Sequence, residues 1–458
     1  MSAPLPPARQ VRDPEKAEFR PDSMPADAYI SPAYFDLEEE RLWPRTWQIV
    51  CRAEEIPKVG DFVTHEIIEE SIIVIRTSAD EVKAFYNVCQ HRGRRLKDGS
   101  GNTGEALVCR FHGWSWNIDG TLKRVTDRED WAGCPHFDDQ TLGLKDVRVE
   151  EWGGWYWISM DPDIEPLLDY LDPIPDVFKN YELETMRFAW CKTLVLPCNW
   201  KVMIDAFNEA YHTEATHPQV GVRSALGSLG AAFGKHAMFS FPSPEKARQK
   251  AAATPAGLDF RPLISAGLAD TRQTLHALVS DSRVRAAKRL MDEVPADASA
   301  PQVLAKLETL HREEVEKAGA KWPEQLTPAD MARAGTDWHI FPNTIILPSV
   351  DSILWYRARP NGRSVDSCIF DVWNLERFGE GKAPPLRRDF YATPEEFSGQ
   401  NPFLEQDFGN IAAVQKGMKS RGFRASRTNP IQEVTINNFH KTLYRYLSTP
   451  PDAPPPKI

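Results

Sequence analysis

Cys89-Gln90-His91 is followed, after 17 intervening residues, by Cys109-Arg110-Phe111-His112. No other feature constrains this chain as much. Each pair sits at or near the end of a strand-like run, where a tight loop can turn both side chains toward one point. Gly93 lies beside the first loop and Gly113 beside the second. Four ligands on two adjacent loops make a metal site, and a β framework is the simplest way to hold such loops together. Zinc accepts two Cys and two His in a tetrahedron, although zinc fingers of that kind group Cys with Cys and His with His. The alternating order suits a two-iron cluster in which two thiolates hold one iron and two imidazoles the other. Such ligation raises the reduction potential above that of an all-cysteine cluster.

The rest of the composition sets the class. A chain of 458 residues suggests two or three domains and needs no disulfide staple. A hydrophobic share of 41% and a charged share of 26% are ordinary for a globular protein. The net charge of −10 argues against general nucleic-acid binding. No apolar run approaches the length of a spanning helix, and the N-terminus lacks the apolar core of a secretory signal. The expectation is a cytoplasmic protein without membrane or nucleic-acid partners. Seven cysteines then read as thiols or metal ligands. Cys51, Cys134, Cys191, Cys198 and Cys368 lie outside the motif and mostly read as small core residues.

Along the chain, prolines make residues 1–30 an extended arm. Ser31-Pro32 starts a helix that Pro44 ends or kinks. Residues 50–160 carry short β-rich runs at 61–67, 71–77, 82–88, 106–118 and 152–160, the pattern of a small antiparallel sandwich or barrel. Four prolines between 161 and 187 mark a crossing to a second domain. That domain begins with a β-then-helix unit at 190–218 and has a helix-dominated block at 243–335. Strands return at 339–347, 352–359 and 366–375. A final long helix spans 403–421, and a proline-rich tail is expected to be disordered. The division is therefore an N-terminal arm and helix at 1–45 packing with the catalytic domain, an iron–sulfur domain at 46–160 and a catalytic domain at 161–458.

A second constellation lies in Asn199-Trp200-Lys201…Glu209-Ala210-Tyr211-His212, with His217-Pro218 following. On a straight helix His212 and His217 would point about 140° apart. They can share a metal only where the helix bends or ends, and Pro218 suits such an end. Two histidines and one carboxylate on one face of an octahedron leave positions open for oxygen at a mononuclear iron.

Together, the Cys-x-His…Cys-x-x-His-Gly-Trp string and the Glu-x-Tyr-His-x4-His-Pro string resemble the large (alpha) subunits of Rieske non-haem iron oxygenases, the ring-hydroxylating family, over residues 35–425. The absence of further cysteines in the two loops also points to the oxygenase type. The resemblance implies an α+β fold: a Rieske antiparallel β domain plus a catalytic domain whose curved antiparallel sheet is packed by helices, of helix-grip type. It implies one Rieske 2Fe–2S cluster on Cys89, His91, Cys109 and His112, and one mononuclear Fe(II) on His212, His217 and Asp407. Asp407 is followed by Gln415 as in the family; Glu405 is its rival. By position Glu209 is the carboxylate that bridges the two centres, joining His212 to His112 of a neighbouring subunit. The family commonly carries Asn four residues earlier, where this chain has Asp205, and well-known ring dihydroxylating members carry Asp where it has Glu209. These departures loosen any assignment to dihydroxylation.

The implied activity is that of a terminal oxygenase using O2 and electrons from NAD(P)H to hydroxylate an organic, aromatic substrate. O- or N-demethylation is the alternative, and electron transfer without catalysis is the alternative of another class. No flavin or nicotinamide fingerprint occurs in the sequence, so a separate flavin reductase, ferredoxin or both are expected, with a homotrimer or α3β3 assembly. Arg92, Arg94, Arg95, Lys97 and Arg110 form a basic patch that could steer an acidic redox partner or line a subunit interface. Phe207, Phe233, Phe341, Ile346 and Trp373 are candidates to line the pocket, with the 243–335 block as lid, outer layer or subunit contact.

Overall fold

The computed structural model describes residues 23–458 apart from 136, 140, 218, 220–226, 242–248, 250–256 and 457. Most of the expected arm and Pro218 lie outside the described residues. The chain forms two compact units. One comprises Leu37–Tyr170 and Pro451–Pro455; the other comprises the residues up to Asp36, Leu171–Pro450 and Pro456–Ile458.

The described chain opens with β1 (Ser23–Pro25), α1 (Asp27–Ile30) and α2 (Pro32–Arg41). The expected extended arm therefore gives way to a helical turn at Asp27, closed by the Ser31 amide on the Asp27 carbonyl. The first unit holds β2 (Gln48–Arg52), β3 (Asp61–Ile67), β4 (Glu70–Arg76), β5 (Val82–Tyr86), β6 (Ser100–Asn102), β7 (Ala106–Val108), β8 (Ser115–Asn117), β9 (Leu122–Arg124), β10 (Asp146–Trp152) and β11 (Trp155–Ser159), then α3 (Leu167–Tyr170). Seven strands pair in the order β2-β11-β10-β5-β4-β3-β6, and β7-β8-β9 form a separate small sheet.

The apolar run Ile72–Ile75 explains the centre of this unit. Alternate residues of a strand face opposite sides. Ile72 and Val74 enter a core with Tyr156 and Ile158. Ile73 and Ile75 enter another core with Phe62, Phe85, Cys89, Cys109 and Trp114. The second core holds the two cysteines. The strand expected over 106–118 is instead β7 and β8 on either side of a tight loop. The strand expected from 152 begins at Trp155, because Gly153 and Gly154, both with positive φ, turn the chain between β10 and β11.

The second unit continues with α4 (Ile174–Phe178), β12 (Arg187–Leu196), α5 (Trp200–Phe207), α6 (Thr213–Thr216), β13 (Leu229–Phe233) and β14 (His236–Ser240). Helices α7 (Phe260–Leu275), α8 (Asp281–Glu293), α9 (Ala300–Lys317) and α10 (Pro328–Ala334) follow. Then come β15 (Asp337–Ile340), β16 (Thr344–Leu347), β17 (Ser352–Asn361), β18 (Ser364–Glu376), β19 (Arg388–Tyr391), α11 (Pro402–Met418), β20 (Ala425–Arg427) and α12 (Val434–Ser448). One eight-stranded sheet has the order β13-β14-β15-β16-β17-β18-β12-β19. Its pairings are antiparallel except β12 with β19.

One face of this sheet carries Tyr356 and Phe370, whose rings meet Phe207 of α5 at 4.8 and 5.2 Å. Phe408 of α11 reaches Phe370 at 6.1 Å, and Phe439 of α12 reaches His339 at 5.1 Å. Three helices thus pack on the face that includes the middle of β17 and β18. The helix expected to be last, α11, is followed by α12, whose Ile436, Phe439, Leu443 and Leu447 are buried at helical spacing. The expected strand 339–347 is a hairpin of β15 and β16. The proline-rich end is held at Ala453, whose carbonyl accepts from Arg45.

The helical block has its own core of Val279, Ala286, Leu290, Val303, Leu307 and Leu310. Polar ties join it to the sheet. His311 lies 2.9 Å from Asp351, the Ser280 hydroxyl donates to the same carboxylate, and Arg272 pairs with Glu376 at 2.8 Å. Among the described residues no helix is long and apolar enough to cross a membrane.

Candidate functional site

The two loops of the first unit are built alike. Cys89 N–H donates to the Arg94 carbonyl at 2.9 Å and Gly93 N–H to the Cys89 carbonyl at 3.0 Å. Cys109 N–H donates to the Trp114 carbonyl at 2.8 Å and Gly113 N–H to the Cys109 carbonyl at 3.0 Å. Both glycines have positive φ, 71° and 76°, a conformation that a Cβ would strain. The repeated turn brings the four side chains together. The thiols are buried, and the rings of His91 and His112 are 4.7 Å apart. His91 stacks on Trp114 at 4.8 Å. Its Nδ1 is buried and has no hydrogen-bond partner among the described residues. A buried ring nitrogen without a partner is costly unless something binds it, so the donor set fits a cluster ligated through this atom.

His112 is different on its outer side. Its Nε2 faces the Arg92 guanidinium at 2.6 Å, and Arg92 also lies over the exposed ring of Phe111 at 4.5 Å. Of the expected basic patch, Arg95 is paired with Glu66 at 2.7 Å, and Lys97 lies over Phe62 at 5.2 Å.

In the second unit, Asn199 caps α5 by accepting from Lys201 N–H, and the helix ends at Phe207. The next residues leave helical geometry, and a single turn, α6, follows. His212 stands just before α6 and His217 just after it, with ring centres 5.3 Å apart. The break required by their spacing is therefore present. His217 Nε2 lies 3.0 Å and His212 Nε2 3.4 Å from Asp407 Oδ1. The three ligand atoms all lie within 4.8 Å of one another. His217 Nε2 nevertheless makes no hydrogen bond, and Asp407 Oδ2 is buried without a partner among the described residues. These lone pairs converge on a common centre, as an ion requires.

The outer atoms are held. His217 Nδ1 is 2.7 Å from Gln406 Oε1, and its ring stacks on Phe403 at 4.0 Å. His212 Nδ1 is 2.6 Å from Glu209 Oε1, while Glu209 Oε2 accepts the amides of Tyr211 and His212. Such partners fix ring orientation and tautomer. Burial lowers the His212 pKa, but the Glu209 bond and the charges of Glu209 and Asp407 outweigh it and raise the group overall. Gln415 ties α11 to α5, its Oε1 accepting Asn199 N–H at 3.1 Å. Glu405 does not join the triad; it accepts Asn401 N–H at the start of α11. Asp205 accepts from the Tyr29 hydroxyl and lies 2.9 Å from His440 Nε2.

The pocket expectations need correction. Register pairs Ile345 with Tyr356 and Tyr356 with Val372, whereas Ile346 pairs with Trp355 and Trp355 with Trp373. Ile346 and Trp373 therefore point away from the face that carries α5. Phe233 packs on Trp338, which shares that opposite face, and Phe341 packs on Phe439 and Tyr446. Phe207 packs on Tyr356 and Phe370, and Phe370 meets Phe408, the residue after Asp407, so these three rings form an aromatic wall on the sheet face that α11 also covers. Sequence reasoning missed these two because strand alternation gives a face only once the register is known.

The ring-hydroxylating alpha subunit catalytic domain matches residues 149–449, and the Rieske [2Fe–2S] domain matches residues 46–137. This chain belongs to the ring-hydroxylating alpha subunit family. It carries that family's iron–sulfur domain and its mononuclear-iron catalytic domain. Among curated relatives, the Escherichia coli (strain K12) carnitine monooxygenase oxygenase subunit is 33% identical over 43% of this chain and 52% of its own length. The Pseudomonas aeruginosa glycine betaine monooxygenase oxygenase subunit is 31% identical over 47% of this chain and 50% of its own. The Rhodococcus jostii biphenyl 2,3-dioxygenase subunit alpha is 28% identical over 46% and 47%. The chain spans about half the length of the curated relatives it matches. Among solved structures, a quaternary ammonium Rieske monooxygenase bound to L-carnitine superposes with a TM-score of 0.62 at 19% identity, over 93% of this chain and 97% of the other. Naphthalene 1,2-dioxygenase gives 0.63 at 17% identity, over 93% and 92%. Both superpositions agree with the α+β fold expected from the sequence.

Proposed function

We propose that this protein is the terminal oxygenase component of a multi-component Rieske system, and that it hydroxylates a small organic substrate with O2 and electrons from NAD(P)H delivered by a separate reductase. The convergence of His212, His217 and Asp407, with unpartnered lone pairs aimed at one point, carries the reading. Cys89, His91, Cys109 and His112 would hold the 2Fe–2S cluster within residues 46–160. The iron triad belongs to residues 161–458, with residues 1–45 as arm and helix. When bound, the cluster supplies single electrons and the iron supplies open positions at which O2 can be activated.

The protein's own groups do the rest. Glu209 fixes the His212 ring through Nδ1 and couples it to His112 of a neighbouring subunit in a trimeric assembly. That bridge needs the outer nitrogen of His112, so Arg92 must yield it. Phe207, Tyr356 and Phe370 exclude water beside the triad. Each turnover would consume one O2, two electrons and two protons, placing one oxygen atom in a substrate C–H bond and the other in water. Hydroxylation of an N-methyl carbon gives a carbinolamine-type product that collapses to the demethylated amine and formaldehyde, which is N-demethylation. The relatives named for carnitine and glycine betaine favour this outcome. Ring hydroxylation of an aromatic substrate is the second reading, favoured by the relative named for biphenyl.

The test is iron, zinc and acid-labile sulfide per chain on anaerobically purified protein, followed by turnover with NADH and a surrogate reductase. Expected are about three irons and about two sulfides, falling to about two irons in His212→Ala with sulfide unchanged. Two irons in the wild type despite iron supplementation would leave an electron-transfer protein. Zinc without sulfide would overturn the reading. Formaldehyde release from a methylated amine separates demethylation from ring hydroxylation.

A further inference from the structure

Asp337 opens β15 with 1% of its surface exposed, and its Oδ1 has no hydrogen-bond partner among the described residues. It shares a sheet face with His339, which pairs through Ile345 with Tyr356. This is the face that receives α5. Electrostatics give its place more closely. The charge on Glu209 acts on Asp337, and the charges on Asp407 and Asp337 both act on the Tyr356 hydroxyl. Asp337 therefore shares with Tyr356 the sheet face that receives α5, and its charge couples to Glu209 and Tyr356 beside the iron triad.

Nothing in the described chain answers its charge. Burial and Glu209 raise its carboxyl well above the ordinary range, with no cation acting in the other direction. His339, two residues on, cannot help, since burial pulls its pKa down to about 3 and its Nδ1 is itself unpartnered. Asn208, next to Glu209, is fully buried with both amide atoms unpartnered. Tyr356, on the same sheet face, belongs to an aromatic cluster: the rings of Phe207, Tyr356 and Phe370 lie within 5.4 Å of one another.

Without a cation beside it a buried carboxyl stays in its neutral form, because the ionised form is expensive to keep unpaired. A bound cation would supply that partner and draw the carboxyl into its ionised form. Aromatic faces attract cations, and they suit alkylated ammonium groups in particular, which have few or no N–H donors to satisfy. We propose that Asp337, with Tyr356 and Phe207, forms the subsite that holds the positively charged, alkylated nitrogen of the substrate. The assignment rests on the oxygenase reading above and narrows it to cationic substrates.

The test is an equilibrium titration of the iron-loaded protein with matched probes, choline against its uncharged isostere 3,3-dimethylbutan-1-ol, and glycine betaine against 3,3-dimethylbutanoate at one pH. The wild type should prefer the charged nitrogen in at least one pair by about tenfold or more. Asp337→Asn should lose that preference while binding the uncharged member as before. Its fold should be retained, because the amide keeps the shape of the neutral carboxyl. Tyr356→Phe should keep the preference and Tyr356→Leu should weaken it, which tests the same subsite without touching the carboxylate. No preference in either pair, or an unchanged preference in Asp337→Asn, would overturn the proposal and leave Asp337 as a site for buried water only. The binding readout needs no turnover. A protein that binds choline through Asp337 but oxygenates nothing would refute the oxygenase reading alone. One that oxygenates naphthalene and ignores the charge would refute the subsite alone.

Discussion

Replacing Asp371 with alanine tests what holds the catalytic sheet together. Asp371 Oδ2 receives Arg357 Nε at 2.8 Å and Nη2 at 2.7 Å, and Oδ1 receives the Thr193 hydroxyl at 2.7 Å. Arg359 Nε stands 3.6 Å away. The Arg357 and Asp371 side chains are only 5% and 4% exposed, so water cannot replace the lost partner. The network joins β12, β17 and β18 on the face opposite Tyr356. Removing one member of a buried pair leaves an uncompensated charge, and the expected cost of Asp371→Ala is about 3–5 kcal/mol. That is a large share of a typical domain's stability. The double variant Arg357→Met, Asp371→Leu removes both charges and should cost far less, within about 1 kcal/mol of the wild type.

Hydrogen exchange of the β17 and β18 amides reads this locally, which avoids assuming that two units unfold in one step. The carboxyl of Asp371 is buried, but Arg357 and Arg359 hold it below the usual carboxylate range. Its contribution is therefore present above the ordinary value of 3.8 and is lost as pH falls through the lower folded value. The gap between wild type and Asp371→Ala should close in acid. A single variant costing under about 1 kcal/mol, or a double variant as costly as the single one, would refute the charge argument and leave packing as the cause.

Two further outcomes follow from groups near the triad. Burial and the charges of Glu209 and Asp205 raise the Glu433 carboxyl from 4.5 to about 7. A raised folded pKa means that the wild type loses stability as pH climbs from 4.5 to about 7, with no further loss above. In iron-free protein, Glu433→Gln should remove that slope and stabilise at pH 8 by about 1–2 kcal/mol, after discounting for solvent screening of this partly buried group. Parallel Tm-versus-pH curves for the two proteins would contradict it. Gln415→Leu strands the Asn199 amide and the Asp366 carboxylate, which Gln415 holds at 3.1 and 2.8 Å. It should cost about 1–3 kcal/mol and reduce mononuclear iron while labile sulfide stays constant. Unchanged iron occupancy would mean that the Gln415 tie does not align Asp407 with the histidines.

Residue type and short spacing carried the chemistry. Cys89, His91, Cys109 and His112 were legible because each pair lies within one loop, and a loop of four or five residues needs little else to aim its side chains. His212 and His217 were legible for the same reason, once a break in the helix was allowed. Asp407 came only with the family pattern. Its distance along the chain from the histidines says nothing about proximity, and the packing of α11 on α5 brings it to 3.0 Å from His217.

The sequence by itself determined the local turns, the apolar strand through Ile72–Ile75, the capped start of α5 and the identity of the ligand atoms. All of these follow from backbone conformation and side-chain chemistry over a few residues. Only the tertiary structure decided which residues face the iron. A strand's side chains alternate, so a one-residue change of register exchanges Tyr356 for Trp355 and Ile345 for Ile346. That register is set by pairing across the whole sheet. The same holds for Asp337, an ordinary strand residue in the sequence, whose Oδ1 is left unpartnered and whose ionisation is suppressed by burial on that face.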